Sequence, residues 1–223
     1  MRRTTCSILF LALTLGPAAS ALAQVRRPAP PAPRERYPEI SPRGFVMFGQ
    51  QSFAAKQTFE AVFGESVQPF RGGGADVVVH RNFFAELGFS RFEKTGERVF
   101  RAGGETFGLG IPLTATITPV EVSGGYRLTE WRRVIPYAGL GFGSYRYEET
   151  STFSTPDENV DVRKNGFVLL AGAEVRVMRW VGISADVHKT SISDIIGSAG
   201  ISKELNETDL GGTAFRVRIM VGR

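Results

Sequence analysis

Ala138-Gly139-Leu140-Gly141-Phe142-Gly143-Ser144-Tyr145 places its large apolar side chains on one parity and its glycines on the other. Successive side chains of a strand point to opposite faces, so one face here is fatty and the other nearly bare. A soluble sandwich does the reverse, with bulky residues inside and polar ones outside. Apolar-out with small or polar-in suits a narrow barrel in lipid, where lipid solvates the outside and little room remains within.

The same alternation continues to the C-terminus. Ala85, Leu87 and Phe89 share a parity, with Glu86, Gly88 and Ser90 on the other. Leu169, Ala171, Ala173, Val175 and Val177 follow the same rule, as do Val181, Ile183, Ala185 and Val187, and then Phe215, Val217, Ile219 and Val221. Glycine supplies 26 of 223 residues, well above the roughly 7% of ordinary chains. Its concentration inside patterned segments calls for a tight interior, because glycine otherwise weakens strands.

The N-terminus reads as a secretory signal. Arg2 and Arg3 precede an apolar stretch over 7–15, and Ala21-Leu22-Ala23 supplies the small-x-small cleavage pattern. That stretch is shorter than the roughly 20 apolar residues of a spanning helix. Residues 1–23 are therefore expected to leave as a signal peptide, with Gln24 as the mature start. The single cysteine, Cys6, leaves with them, which excludes disulfides and thiol chemistry from the mature chain. Residues 24–42, rich in Pro and Arg, lack apolar periodicity and are expected to form an extended periplasmic linker. Residues 43–223 form the expected barrel.

Eight strands are expected there: 44–50, 73–80, 83–93, 113–128, 134–148, 166–177, one starting at Trp180 and ending before the loop at Ser191, and 211–222. Phe53, Phe59, Val62 and Phe63 could line one side of a short helix in the first long connection, 51–71. The other long connections are 94–110, 149–164 and 191–208. The fourth strand changes phase, with Leu113, Ala115 and Ile117 apolar on odd numbers and Val120 and Val122 on even ones. Thr118-Pro119 at the change predicts a bulge or corner. Long and short connections alternate, as in outer-membrane barrels, and an even strand number puts both mature termini on the periplasmic rim. The fold class is all-β: an eight-stranded antiparallel up-and-down transmembrane β-barrel. The soluble alternative is a periplasmic barrel of lipocalin type, but water would penalise the apolar outer faces.

Trp131 and Trp180 fall beside short turns, with Phe83, Phe84, Tyr126 and Tyr137, and are expected to form an interfacial aromatic girdle. The inward parity carries Glu86, Glu121, Arg127, Glu174, Arg176, Asp186, Arg216 and Arg218. Buried charges need partners, so these residues predict a salt-bridged lumen with no wide pore. Ser184, Asp186 and His188 supply the residue types of a nucleophilic triad. Same-parity neighbours on one strand lie about 6.6–6.8 Å apart, however, so a polar lining is the stronger reading. With two histidines and no mature cysteine, no metal set or cofactor is expected. The net charge of +5, +3 once Arg2 and Arg3 are lost, is interleaved with acids and forms no phosphate-tracking stripe for nucleic acid.

The segment beyond the linker resembles the small outer-membrane β-barrel superfamily, which includes the outer membrane protein A transmembrane domain and the W- and X-type barrels. Ile135-Pro136-Tyr137-Ala138-Gly139-Leu140-Gly141-Phe142-Gly143, Ala171-Gly172-Ala173-Glu174 and the closing strand carry the likeness. It implies residence in the outer membrane and contact with its lipid and lipopolysaccharide. It also implies insertion by the barrel assembly machinery, although this chain ends Gly222-Arg223 rather than in the usual aromatic residue. The expected role is non-enzymatic: a structural or surface-interaction barrel whose long loops meet an extracellular ligand or a host or cell-surface partner. The alternative is a narrow channel or carrier for small or hydrophobic solutes.

Overall fold

A computed structural model describes residues 39–131, 133–151, 159–197 and 200–222. The expected signal peptide and most of the expected linker lie outside the described residues. In chain order the elements are β1 (Ile40–Phe53), α1 (Lys56–Phe63), β2 (Val67–Val79), β3 (Phe83–Ala102), β4 (Glu105–Arg127), β5 (Val134–Ser151), β6 (Val160–Arg176), β7 (Val181–Ser191), α2 (Gly200–Glu204) and β8 (Gly212–Gly222). Every strand pairs antiparallel with its chain neighbours, and β8 returns to β1 to close the barrel. β1 begins at Ile40, so the last residues assigned to the linker already belong to the sheet. The helix expected in the first long connection is α1.

Two expectations about β4 are corrected. Its ladder with β5 runs in one register from Leu113↔Ser151 to Arg127↔Tyr137, with no bulge at Thr118-Pro119, while the pairing with β3 lapses there, between Phe89↔Val120 and Phe92↔Ile117, without a change of register. Odd-numbered residues face inward from Leu113 to Arg127: Ala115 and Ile117 are buried, and so are Ser123 and Arg127. Backbone parity does not change over this stretch, but the chemistry on each face does. Near the short turns the outward residues are apolar, as Val120, Val122 and Tyr126. Beyond Val120 they become Thr118, Thr116 and Thr114.

The inversion recurs on the neighbouring strands. Outward Phe89 gives way to Arg91 and Glu93 on β3, Phe142 to Ser144 and Arg146 on β5, and Phe167 to Asn165 and Arg163 on β6. Val187 likewise gives way to Lys189, and Phe215 to Thr213. The exposed apolar residues, such as Leu140 at 62% and Phe167 at 64%, thus form a continuous band. On β5 the band runs from Val134 to Phe142, close to the 9–11 residues a tilted strand needs to cross a bilayer. Beyond the band the wall is polar outside and apolar inside, as a water-exposed barrel should be.

The second correction concerns 94–110. It is not a loop, because β3 and β4 extend as one hairpin to Ala102↔Glu105. Gly103 and Gly104, at φ +62° and +90°, make the turn at its tip, as a two-residue hairpin connection with positive φ requires. The register shift in this pair lies between Glu97 and Val99.

The apolar band generates a graded expectation. Leu140→Arg, on the lipid-facing side, should destabilise the folded protein in vesicles by about 2–4 kcal/mol. Thr116→Arg, outward but beyond the band, should stay within about 0.5 kcal/mol of the parent. Urea unfolding followed by tryptophan fluorescence measures both.

Candidate functional site: the barrel lumen and its apolar cap

The lumen is built from the inward parity of the strands, and its charges meet across the ring rather than along strands. At the short-turn end, Arg43 Nε donates to Asp76 Oδ1 at 2.8 Å and its Nη2 to Oδ2 at 2.6 Å. Arg43 Nη1 donates to Glu174 Oε2 at 2.9 Å, and Arg127 donates to the same oxygen. One carboxylate therefore joins guanidinium groups from β1 and β4.

Deeper in the lumen Arg218 is the hub. It donates to Glu86, to Ser184 Oγ at 3.1 Å and to the Tyr137 hydroxyl at 2.6 Å. Its guanidinium carbon lies 5.4 Å from the centroid of the Phe45 ring and 5.3 Å from that of Tyr137, within cation–π range. Tyr137 donates onward to Asp186 Oδ2 at 2.8 Å, and Arg216 Nε donates to Asp186 Oδ1 at 2.7 Å. Above these residues, Glu121 accepts the Tyr145 hydroxyl at 2.6 Å. His188 Nε2 lies 3.0 Å from Glu121 Oε2 but off the hydrogen-bond direction.

The structure thus brings together Glu86, Glu121, Arg127, Glu174, Asp186, Arg216 and Arg218 from the residues read as inward. Arg176 sits half-buried on the same face of β6. Ser184 and His188, read as polar lining, join the network, and Arg43, Asp76, Tyr137 and Tyr145 complete it without a sequence expectation that put them there. Asp76 carried a signal, a lone acid on the inward parity of an apolar run. Arg43 stood at the edge of the expected linker, where parity has no reference.

Tyr137 is a correction. It was expected in the girdle, yet it is only 6% exposed and points into the lumen, where its ring packs edge-on to Phe84. Its parity is that of Gly139, Gly141 and Gly143, so the glycine alternation itself placed it inside. Phe84 is buried as well. Phe83, Tyr126, Trp131 and Trp180 are exposed at the short-turn end, and Phe83 packs edge-on to Tyr126 with ring centroids 5.3 Å apart.

Ser184, Asp186 and His188 do not assemble into a triad. Ser184 accepts from Arg218, Asp186 serves Arg216 and Tyr137, and His188 faces Glu121.

Beyond the network the lumen becomes apolar and closed. Phe59 of α1 stacks on Phe53 with centroids 4.1 Å apart, and Phe92 meets Phe53 edge-on. Ala115, Ile117, Tyr145, Tyr147, Ile192, Ile195 and Leu210 join them in one buried cluster. α1 can seat this close because β3 offers Gly96 beneath it, where any Cβ would collide with the Val62 carbonyl oxygen. The Glu207 carboxylate accepts the Gln57 and Thr58 backbone N–H groups at 3.1 and 2.8 Å. It thereby caps the first turn of α1 and ties the β7–β8 connection to it. A cavity of about 20 Å3 remains beside Gln51, Gln68, Phe70, Ser90 and Phe92, room for about one water.

On the outer wall past the apolar band, Arg146 donates to both oxygens of Asp161 at 3.0 and 2.7 Å. This pairing holds the carboxyl below the usual carboxylate range.

No protein-family model and no curated protein matches this sequence. Solved structures do. Neisserial surface protein A is 11% identical, with 82% of this chain and 97% of that chain covered at a TM-score of 0.51. Ail, the attachment invasion locus protein of Yersinia pestis, is 12% identical over 81% and 97% of the two chains, at a TM-score of 0.47. A major outer membrane protein from Thermus thermophilus is 12% identical over 81% and 99%, at 0.46. The likeness to the first is one of fold: this chain folds as a small eight-stranded outer-membrane β-barrel.

The lumen generates a second contrast. Glu174→Ala leaves Arg43 and Arg127 buried without their shared acceptor, and should cost about 3–5 kcal/mol. Glu148→Ala removes a partly exposed partner of Arg146 and should cost no more than about 1 kcal/mol. An unchanged urea midpoint for Glu174→Ala would show that the lumen charges do not support the barrel.

Proposed function

We propose that the protein is a closed, non-enzymatic anchor in the bacterial outer membrane that presents its long connections at the cell surface for interaction. The observation that carries this reading is the filled interior. Side chains of α1 and the β7–β8 connection plug one end, and a cross-linked set of charges occupies the other. A solute would have to displace both, and the cavity beside Gln68 and Phe92 takes about one water. That weighs against the channel or carrier alternative. The dispersed partners of Ser184, Asp186 and His188 weigh against hydrolysis in the lumen.

Surface presentation is supported by the asymmetry of the two rims. One rim has only short turns and both ends of the sheet, with Arg43 opposite Gly222. The other carries α1, the long β3–β4 hairpin, the ends of β5 and β6 at Ser151 and Val160, and α2. Rigid scaffolds commonly carry binding on such loops. Phe100 and Phe107 stack across the hairpin near its tip with centroids 5.4 Å apart and stay exposed, a firm platform for a ligand or a partner on another cell. In this reading an N-terminal signal exports the chain, the assembly machinery inserts it, and both mature termini face the periplasm.

Both parts are testable with the full-length protein. Purified barrel in planar bilayers should give no ion-conducting steps, and regular steps would restore the channel reading. The Gly103→Cys variant should react with a membrane-impermeant maleimide in intact cells, whereas Arg179→Cys should react only after permeabilisation. The opposite pattern would overturn surface presentation.

A further inference from the structure

Arg71 on β2 and Arg91 on β3 stand directly opposite each other, and theirs is the last pair of the β2–β3 ladder. Both side chains point outward and both are exposed. Like charges facing each other across strands are unfavourable. Arg91 is partly neutralised by Glu93 on its own strand, with Nε at 3.1 Å and Nη2 at 2.6 Å from Oε2. Arg71 has no acceptor among the described residues. The comparable outward pair Arg146 and Arg163 differs, because Arg146 there holds Asp161 and Glu148.

The position of the Arg71–Arg91 pair gives the mismatch a meaning. It lies where the apolar band ends and the polar wall begins. Below it, β2 has Gly73, which is buried, and then exposed Ala75 and Val77 on its outward parity; Gly73 and Ala75 stand opposite Val46 and Gly44 on β1 and opposite Phe89 and Leu87 on β3. Phe48, itself opposite Arg71, and Phe89 are each more than half exposed, at 56% and 58%. The result is a shallow groove whose exposed floor is Ala75 and Gly44, with Val46, Phe48, Leu87 and Phe89 around it and two guanidinium groups at its head.

We infer that the Arg71–Arg91 pair is a binding site for the phosphate of a membrane lipid whose acyl chain lies along the apolar groove over Ala75 and Gly44. Guanidinium forks match phosphate oxygens in charge and geometry, and an anion between two facing arginines removes their repulsion. The site rests on the membrane-anchor reading, which puts this end of the band in the outer leaflet. Phosphorylated lipid A and an anionic phospholipid share the required chemistry.

The test uses folded full-length protein in phosphatidylcholine nanodiscs doped with bisphosphorylated lipid A or with phosphatidylglycerol. Lipid retained after release into detergent is counted by native mass spectrometry. Wild type should retain lipid A, and the R71Q/R91Q double variant about tenfold less. K189Q, which removes an outward cation at a similar level of another wall, should behave as wild type. Lipid A stripped of its phosphates should be held equally by wild type and double variant. Arginine-dependent retention of phosphatidylglycerol as strong as that of lipid A also supports the site and identifies a phospholipid as its source. Equal retention of phosphorylated lipid by wild type and double variant overturns it. Heat modifiability on a detergent gel separates the two levels. A wild type without a heat-shifted band removes the membrane-barrel reading, whereas a shifted band without arginine-dependent retention removes only the lipid site.

Discussion

The pairing of β1 with β8 turns a meander of hairpins into a ring, and a ring has no edge. In lipid this matters more than any side-chain contact, because an unpaired backbone N–H or C=O in hydrocarbon has no water to turn to. Closure also divides the side chains into two sets with opposite demands. Outward residues are solvated by acyl chains and need only be apolar. Inward residues are confined to a space that eight strands leave barely wide enough for side chains. The glycines of β5 answer that confinement: the room a Cβ would occupy at Gly143 is filled by the Tyr145 ring. The confinement also explains why charges in the lumen are shared, as when Glu174 serves Arg43 and Arg127 together.

The strands are longer than the membrane requires, and this extra length gives the molecule its character. A strand that leaves the bilayer keeps its geometry but changes solvent. The same parity that was apolar-out must become polar-out, and the inside must become a hydrophobic core. β4 records the change within a few residues, from outward Val120 to outward Thr118 and from inward Ser123 to inward Ile117. The cap on the lumen follows from it. Once the interior is apolar, α1 and the β7–β8 connection can bury Phe59, Ile192 and Leu210 there, and the barrel closes on its own core.

This inversion also marks how far the sequence could be read. Alternation located the eight strands because lipid enforces it strictly, and the glycine parity named the inner face. The same reasoning read the change of solvent on β4 as a change of backbone phase, and so placed a bulge or corner where the register is unbroken. Charged, glycine-rich residues of the β3–β4 hairpin looked like loop because an emergent hairpin has water on its outer face and needs no apolar repeat. In the lumen, sequence named the charges but not their partners. Pairing there is set by ring closure: Arg218 reaches Glu86, 132 residues away in the chain. Tyr137 was misassigned because an aromatic ring near a turn suits the interface and the lumen equally, and only its parity separates the two.

The lumen charges also solve a problem that the apolar band cannot. A one-residue slip between strands exchanges the faces and is forbidden by lipid. A two-residue slip preserves the faces, and acyl chains would hardly register it, since one apolar residue replaces another. Inside, the same slip moves Asp186 off its cross-strand partner Arg216 and Asp76 off Arg43. Each of these groups would then be buried without compensation, at a cost of several kcal/mol. Asp76 and Glu86 face each other as like charges in the native ladder, and only the arrival of Arg43 and Arg218 from β1 and β8 relieves them. The charges therefore favour one register of the hairpins and, at the same time, the closed ring that completes it.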